Sequence, residues 1–214
     1  MDYEAILFDF DYTLGDSTQA IWTSINYALS QLGYGSRDVE SVRRTIGLSL
    51  KETFFQLTQK THEEECNQFI RLFREKADQV VTENTEFLPY ALNTLEHLKA
   101  NSIKTGIVTT KFHYRIDQIL DKFGAASLID IIVGSDDVQV VKPDPEGLLY
   151  AINILNIPKE KNLYVGDSIV DARTAQNAGV SFIGVTTGTA TKDDLMQFPH
   201  VKIITDLSEF MWWQ

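Results

Sequence analysis

The second part of the chain alternates short apolar runs with amphipathic segments. The apolar runs predict β-strands at residues 105–109, 129–133, 162–165, 181–185 and 201–204. The amphipathic segments have apolar side chains at helical spacing and predict helices at residues 90–100, 114–123, 145–155, 169–178 and 192–197. Strands and helices that alternate in this way indicate a mostly parallel sheet with helices on both faces.

The first part of the chain has a different pattern, in which one strand precedes a series of helices. The apolar run at residues 6–10 predicts the first strand. A helix within residues 17–33 places its apolar side chains on one face and stops at a glycine; these side chains are Ile21, Ile25, Ala28, Leu29 and Leu32. Shorter helices are predicted within residues 38–47 and 49–59, and a long one within residues 61–84. Thr61 and Glu64 have the spacing of a capping box for the long helix.

These patterns predict a doubly wound, mostly parallel, Rossmann-like α/β sheet that carries an inserted bundle of α-helices as a cap. The predicted domains are an α/β core of residues 1–14 and 86–214 and a helical cap of residues 15–85. In an open parallel sheet, ligands bind at the carboxyl ends of the strands. Candidate chemistry is therefore expected in the residues that directly follow each strand.

Composition limits the partners that such a protein can have. The net charge of −11 disfavours nucleic acid and an anionic membrane surface as partners. No segment approaches the roughly 20 apolar residues of a membrane span, and no basic region with a following apolar segment stands at the start of the chain. Cys66 is the single cysteine, so an internal disulfide and a multi-cysteine metal site are both excluded. We expect a cytoplasmic protein.

Polar side chains of a few types follow four of the predicted strands. They are Asp9 and Asp11, Thr109 and Thr110, Lys142, and Asp167 and Asp171. Each type has an ordinary structural explanation, such as a strand terminator, a surface lysine or a helix cap. Their joint occurrence at the same edge of one sheet favours a functional site.

The four acids and the lysine predict a phosphoryl-transfer site. Clustered carboxylates repel one another unless a cation lies among them. Mg²⁺ with oxygen ligands and water suits such a cluster. A lysine and a threonine hydroxyl beside a carboxylate nucleophile then supply donors for an anionic group, as phosphoryl transfer requires.

Four short motifs connect these residues to a known family. The segments "DFDYT", "IVTT", "VKPDP" and "GDSIVDA" resemble, in order and spacing, the signature motifs of the haloacid dehalogenase-like hydrolase superfamily. The helical insert resembles the cap of that superfamily. The segments "IGLSLKETF" and "LPYALNTLEHLKANSIKTGIVTTK" are most similar to its phosphoglycolate phosphatase branch.

The resemblance implies a role for each acid of the first motif. Asp9 is expected to be the nucleophile that becomes an aspartyl phosphate, and Asp11 the general acid and base. Mg²⁺ would be held by Asp9, by the backbone carbonyl of Asp11 and by Asp167. Asp171 would act indirectly, by holding metal-bound water or Lys142. Tyr12 stands where relatives frequently have glycine, which indicates a change in local packing or in the entrance to the site rather than a loss of activity.

The same resemblance assigns the phosphate-binding groups and the activity. Thr109, the backbone amide of Thr110, and Lys142 are expected to bind the phosphoryl group. The implied activity is Mg²⁺-dependent hydrolysis of a small phosphorylated metabolite, with phosphoglycolate as the leading candidate, by a monomer or homodimer. Asp11 argues against dehalogenation, since true dehalogenases of the superfamily lack an acid there.

Three alternatives stay open at this level. A sugar-phosphate mutase resembling beta-phosphoglucomutase, or a pyrophosphatase, would use the same motifs. A binding or regulatory protein that has lost catalysis is a third reading, which the retained acids disfavour. The cap residues Arg43, Arg44, Thr45 and Lys51 could recognise an anionic substrate group, but an exposed basic stretch on a short helix is the favoured explanation.

Overall fold

The computed structural model describes residues 3–212. The chain divides into two compact units, one of Met1–Gly15 with Phe87–Gln214 and one of Asp16–Glu86. The first is an α/β unit and the second is helical. The assignment of one as the catalytic core and the other as a cap stays a prediction.

The elements follow the predicted alternation closely. The strands are β1 (Ala5–Phe8), β2 (Gly15–Asp16), β3 (Glu86–Phe87), β4 (Lys104–Val108), β5 (Ile131–Val133), β6 (Asn162–Gly166), β7 (Ser181–Val185) and β8 (Lys202–Ile204). The helices are α1 (Thr18–Gln31), α2 (Val39–Arg43), α3 (Leu50–Thr58), α4 (Glu63–Val80), α5 (Ala91–Ala100), α6 (His113–Lys122), α7 (Glu146–Leu155), α8 (Ile169–Ala178) and α9 (Lys192–Leu195). Short 3₁₀ turns lie at Ala126–Leu128, Lys159–Lys161 and Leu207–Trp212.

The α/β unit is built on a six-stranded parallel sheet with the order β5-β4-β1-β6-β7-β8. Strand β1 lies in the middle, where Phe8 is paired with Ile107 of β4 and Val165 of β6. This register brings the carboxyl ends of the three central strands to one edge. The mostly parallel α/β sheet predicted from the sequence is confirmed.

Strand β1 ends two residues earlier than the apolar run suggests. All four of its side chains are completely buried, as expected for a central parallel strand. After Asp9 the chain turns sharply, because the carbonyl of Phe10 accepts hydrogen bonds from the backbone amides of Thr13, Leu14 and Gly15 at 2.9–3.2 Å. The turn takes Asp11 out of the strand direction, so the two acids face different surroundings.

The core of the α/β unit packs α7 and α8 against the sheet. Strand side chains such as Leu7, Val108 and Phe182 lie in one buried cluster with Leu148 of α7 and Ala175 of α8. This layer fixes the start of α8 directly behind the end of β6, which places Asp171 under the site.

The helical unit contains α1 to α4, and α1 packs along α4. Its core includes Phe54 and Phe69, whose ring centroids are 5.3 Å apart. The predicted face of α1 is buried except at Leu32, which lies beyond the last helical residue and is half-buried. The chain leaves α1 at Gly33 with a φ of 78°, a backbone conformation that glycine adopts without strain.

The predicted capping box at Thr61 is wrong. Helix α4 begins at Glu63 with His62 at the N-cap position and no side-chain cap. Three consecutive glutamates occupy the first turn instead, where negative charge interacts favourably with the helix dipole. A capping box does start α3, between Ser49 and Glu52.

Among residues 3–212, no helix combines the length and the apolar character needed to cross a membrane.

Candidate active site

Lys142 joins two of the predicted acids at the carboxyl edge of the sheet. Its Nζ lies 2.7 Å from Asp9 Oδ1 and 2.7 Å from Asp171 Oδ1. All three side chains are at least 94% buried. Two carboxylates on one buried ammonium give a compact ion cluster whose members come from the residue directly after β1, the segment before α7, and α8.

Tyr164 is a fourth member of this cluster that the sequence analysis missed. Its hydroxyl accepts a hydrogen bond from Lys142 Nζ at 3.1 Å. The hydroxyl proton faces Asp171 Oδ1 at 3.0 Å and the Val108 carbonyl at 3.1 Å, either of which accepts it. A tyrosine in a completely buried strand needs such a partner for its hydroxyl. The hydroxyl of Tyr164 among the apolar residues of β6 was therefore the sequence feature that could have indicated a polar partner at this position.

The start of α8 holds Asp171 in a fixed orientation. Ser168 Oγ donates to Asp171 Oδ2 at 2.5 Å, and the Asp171 amide donates to Ser168 Oγ at 3.2 Å. This reciprocal capping box uses one carboxylate oxygen, and Lys142 and Tyr164 use the other. A Cβ on Gly166 would lie 2.4 Å from Asp171 Cβ, so a side chain there would displace the carboxylate.

Asp167 lies beneath the loop that follows β7. The Thr189 amide donates to Asp167 Oδ2 at 3.0 Å. A Cβ on Gly188 would lie only 1.7 Å from the same oxygen, so the loop can approach Asp167 only because Gly188 has no side chain. No role was predicted for this loop from the sequence. Its signal was the single glycine between two threonines after a buried strand.

Burial sets the electrostatics of these groups. It raises the pKa of Asp9 from 3.8 to about 7, against the opposing charge of Lys142 and with a further rise from Asp171. Burial also raises the pKa of Asp167 well above its usual range, and the charges of Asp171 and Asp9 add to the rise. For Lys142, burial favours the neutral amine, but the charges of Asp171 and Asp9 outweigh it and raise the pKa. The negative charge on Asp9 and Asp167 is thus only partly compensated by protein groups.

A hard cation fits this arrangement. Carboxylate oxygens of Asp9, Asp167 and Asp171 lie within 4.8 Å of one another, and all three residues are buried. Both oxygens of Asp171 already have protein partners, which leaves Asp9 and Asp167 as the residues best placed to hold an ion. Oxygen donors of this kind suit Mg²⁺. The ligand role of the Asp11 backbone carbonyl stays a prediction.

The Asp11 side chain points to a different cation, Lys111. Lys111 Nζ lies 2.6 Å from Asp11 Oδ2, and the two side chains are 8% and 9% exposed. Asp11 Oδ1 is buried and has no hydrogen-bond partner in the described part of the chain. Lys111 was not among the predicted site residues, although this lysine directly follows the motif "IVTT".

Thr109 and Thr110 lie at the same edge, after β4. The Thr109 amide donates to the Val133 carbonyl at 3.0 Å, and its side chain is buried beside the site. Thr110 is half-buried. The structure thus brings Thr109 to the carboxyl edge of the central strands, and phosphate binding by these two residues stays a prediction.

Comparison with known proteins identifies the family. Residues 6–185 match the sequence model of the haloacid dehalogenase-like hydrolases. The chain belongs to the haloacid dehalogenase-like hydrolase family. The matched range runs from β1 to β7, and it includes every acid and lysine described above.

Individual relatives of this hydrolase extend over most of its length. The pyrophosphatase PpaX of Bacillus velezensis is 35% identical over 185 residues, which cover 85% of this chain and 82% of that protein. A phosphoglycolate phosphatase of Psychrobacter arcticus is 27% identical over 216 residues, which cover 97% and 94%. A solved structure described as a haloacid dehalogenase-like hydrolase from Bacteroides fragilis is 42% identical, with a TM-score of 0.93 and coverage of 97% and 99%.

Tyr12 has an unusual backbone conformation in this hydrolase. Its φ of 59° lies in the left-handed region, which is strained for a bulky residue and natural for glycine. Its amide donates to the Gly15 carbonyl at 2.7 Å, and its carbonyl accepts a hydrogen bond from Thr187 Oγ1. The backbone turn is therefore kept although the residue is not glycine.

The basic residues of the helical unit pair locally. Arg44 Nε lies 3.2 Å from Glu40 Oε1, and Arg43 Nη1 lies 3.9 Å from Glu40 Oε2. Lys51 is exposed on α3, and Thr45 is buried with its hydroxyl donating to the Val42 carbonyl. Substrate recognition by any of these residues in the hydrolase stays a prediction.

Proposed function

We propose that this hydrolase is a Mg²⁺-dependent phosphatase that cleaves a small phosphate monoester of the phosphoglycolate type through an aspartyl phosphate. The observation that carries the proposal is the buried cluster in which Lys142 Nζ lies 2.7 Å from both Asp9 and Asp171. Such a lysine lowers the charge of the nucleophile and can also meet a phosphoryl oxygen.

The first step uses Asp9 and Asp11 in different roles. Lys142 binds Asp9 Oδ1, which leaves Oδ2 to attack phosphorus. The bond from phosphorus to the ester oxygen breaks, and Asp11 Oδ1, which has no hydrogen-bond partner among residues 3–212, gives that oxygen a proton. Thr109 and the amide of Thr110 would hold the phosphoryl oxygens in this step.

The second step returns the enzyme to its starting state. Asp11, now ionised, takes a proton from water as the water oxygen attacks phosphorus. The bond between phosphorus and Asp9 breaks, and phosphate leaves. Asp9 and Asp167 would hold Mg²⁺, which supplies positive charge against the phosphoryl oxygens. Asp171 and Tyr164 keep Lys142 in place throughout.

Pyrophosphate is a second candidate substrate. The relative named pyrophosphatase PpaX shares 35% identity over 85% of this chain, a higher identity than the relative named phosphoglycolate phosphatase. Both substrates present a terminal phosphoryl group to the same residues. They differ in the group that leaves, which is an alkoxide in one case and phosphate in the other.

The test is a panel of phosphate compounds assayed with Mg²⁺ and with EDTA. Phosphoglycolate, pyrophosphate, sugar phosphates and p-nitrophenyl phosphate are compared by kcat/KM. We expect metal-dependent release of phosphate by the wild type and none by Asp9→Asn. The exposed acid Asp121 gives a matched control, since Asp121→Asn should leave the rates unchanged. Absence of metal-dependent hydrolysis over the whole panel would overturn the proposal.

A further inference from the structure

We propose that Lys111 is a positioning residue that fixes Asp11 so that only one of its carboxylate oxygens takes part in proton transfer. The inference rests on the proposed function, because it concerns the group that protonates the leaving oxygen. It starts from a buried ion pair between residues 100 positions apart in the chain.

The ion pair is short and almost fully buried. Lys111 Nζ lies 2.6 Å from Asp11 Oδ2, with 8% and 9% of the two side chains exposed. Removing an ammonium group from water is costly unless a partner compensates it. A lysine at such a position therefore stays paired, and Asp11 Oδ2 stays bound to it.

The backbone of Lys111 is held from two sides. Its amide donates to Thr109 Oγ1 at 3.2 Å, and its carbonyl accepts from the Ser135 amide at 2.8 Å. These contacts tie it to the end of β4 and to the segment after β5. The ammonium group is thus supported by the sheet itself, which makes Lys111 a suitable anchor for another side chain.

The consequence concerns the second oxygen of Asp11. With Oδ2 bound to Lys111, the carboxylate cannot rotate freely, and Oδ1 is left buried with no partner among the described residues. A buried acceptor without a partner is unusual in native proteins. Oδ1 is therefore the oxygen that meets the leaving group and later the water.

Two lysines then separate the roles of the two acids in the first motif. Lys142 pairs with the carboxylates of Asp9 and Asp171, whereas Lys111 pairs with that of Asp11. The first pair prepares a nucleophile, and the second orients a proton donor. A change at Lys111 should hence affect substrates that need a proton more than substrates that do not.

Aryl phosphates with different leaving groups provide this comparison. The oxygen of 4-nitrophenyl phosphate leaves readily as an anion, whereas that of phenyl phosphate depends more on protonation. In Lys111→Met we expect kcat/KM to fall about 100-fold for phenyl phosphate, in the range of general acid catalysis. For 4-nitrophenyl phosphate we expect a fall of less than about fivefold, because its bond cleavage needs little help from the acid.

Three variants complete the experiment. Lys111→Arg keeps the charge and the donor, so it should recover most of the lost selectivity between the esters. Lys142→Met should lower both rates to a similar degree, because it acts on the nucleophile. Lys99 pairs with Asp130 at the amino end of β5, away from the site at the carboxyl ends of the strands, so Lys99→Met should change neither rate. Circular dichroism checks folding, and Lys111→Gln serves as the uncharged variant should the methionine variant not fold.

The outcomes separate the two proposals. A wild type that releases phosphate with Mg²⁺ neither from the aryl esters nor from the other compounds of the panel would contradict the proposed function. An active wild type with an uncharged Lys111 variant whose ratio of the two kcat/KM values is unchanged would overturn the role of Lys111 alone.

Discussion

Replacing Asp9 with asparagine should stabilise the metal-free protein while abolishing its activity. Burial raises the pKa of Asp9 from 3.8 to about 7 even with Lys142 beside it. Between pH 3.8 and about 7, Asp9 therefore binds a proton more tightly in the folded chain than in the unfolded chain. Stability should fall as the pH rises through this window, since ionising Asp9 costs more in the folded state.

The size of the effect follows from the two pKa values. At 1.36 kcal/mol for each pH unit, the interval from 3.8 to about 7 corresponds to about 4 kcal/mol above pH 7. At pH 5 only part of the interval has been crossed, and the cost is about 2 kcal/mol. Asparagine resembles the protonated acid in shape and never ionises, so Asp9→Asn removes this cost.

Urea unfolding in EDTA at pH 5 and pH 8 measures the difference. We expect Asp9→Asn to have the higher free energy of unfolding at both values, with the larger gain at pH 8. Asp121→Asn, at an exposed position, should show no comparable gain. Excess Mg²⁺ should reverse the order at pH 8, because the cation compensates the Asp9 charge only in the wild type.

Two results would refute the prediction for Asp9→Asn. An asparagine variant that is no more stable than the wild type at pH 8 in EDTA would show that Lys142 already compensates Asp9 fully. A gain of the same size at pH 5 and pH 8 would show that Asp9 is already ionised at pH 5 in the folded protein.

Three further predictions concern residues around the site. Gly188→Ala should lower kcat/KM about 100-fold and reduce the rise in Tm on adding Mg²⁺, since the new Cβ would lie 1.7 Å from Asp167 Oδ2. Gly35→Ala is the control and should change neither quantity, because a Cβ there meets nothing closer than 3.9 Å. Tyr12→Gly should destabilise the protein by about 2–4 kcal/mol in urea unfolding, because the loss of a buried ring exceeds the relief of left-handed strain. Its kcat should change less than about tenfold, because the turn is made by the backbone. A kcat loss as large as that of Asp9→Asn would contradict this prediction. Tyr164→Phe removes the hydrogen bonds of the hydroxyl to Lys142 and Asp171 and should lower kcat about tenfold with KM unchanged. An unaltered kcat would show that the hydroxyl does not position the lysine.

The fold was predictable because its signals are local and repeated. Buried parallel strands require continuous apolar runs, and covering helices require one apolar face. The same regularity made much of the site predictable. Parallel strands end at a common edge, so the acids after β1 and β6 and the lysine before α7 had to lie near one another.

The residues that were missed act through side-chain direction, which local patterns do not contain. Nothing in the local sequence distinguishes Lys111 from an ordinary polar residue after Thr110. Lys111 contacts Asp11 only because the chain turns after Asp9. Tyr164 fits the apolar pattern of β6, and its hydroxyl becomes relevant only where Lys142 and Asp171 meet. The error at Thr61 has the same origin, since a capping box is defined by the geometry of one turn.

The central position of β1 has a consequence for how the protein acquires activity. Strand β1 lies between β4 and β6, so its hydrogen bonds form only with partners about 100 and 157 residues later in the chain. Until they form, "AILF" is an unpaired apolar segment directly before Asp9, the proposed nucleophile. The ion cluster of Asp9, Lys142 and Asp171 can form only when the middle of the sheet closes around this strand. Phosphatase activity during refolding should therefore report completion of the sheet, and chains truncated before β6 should have none.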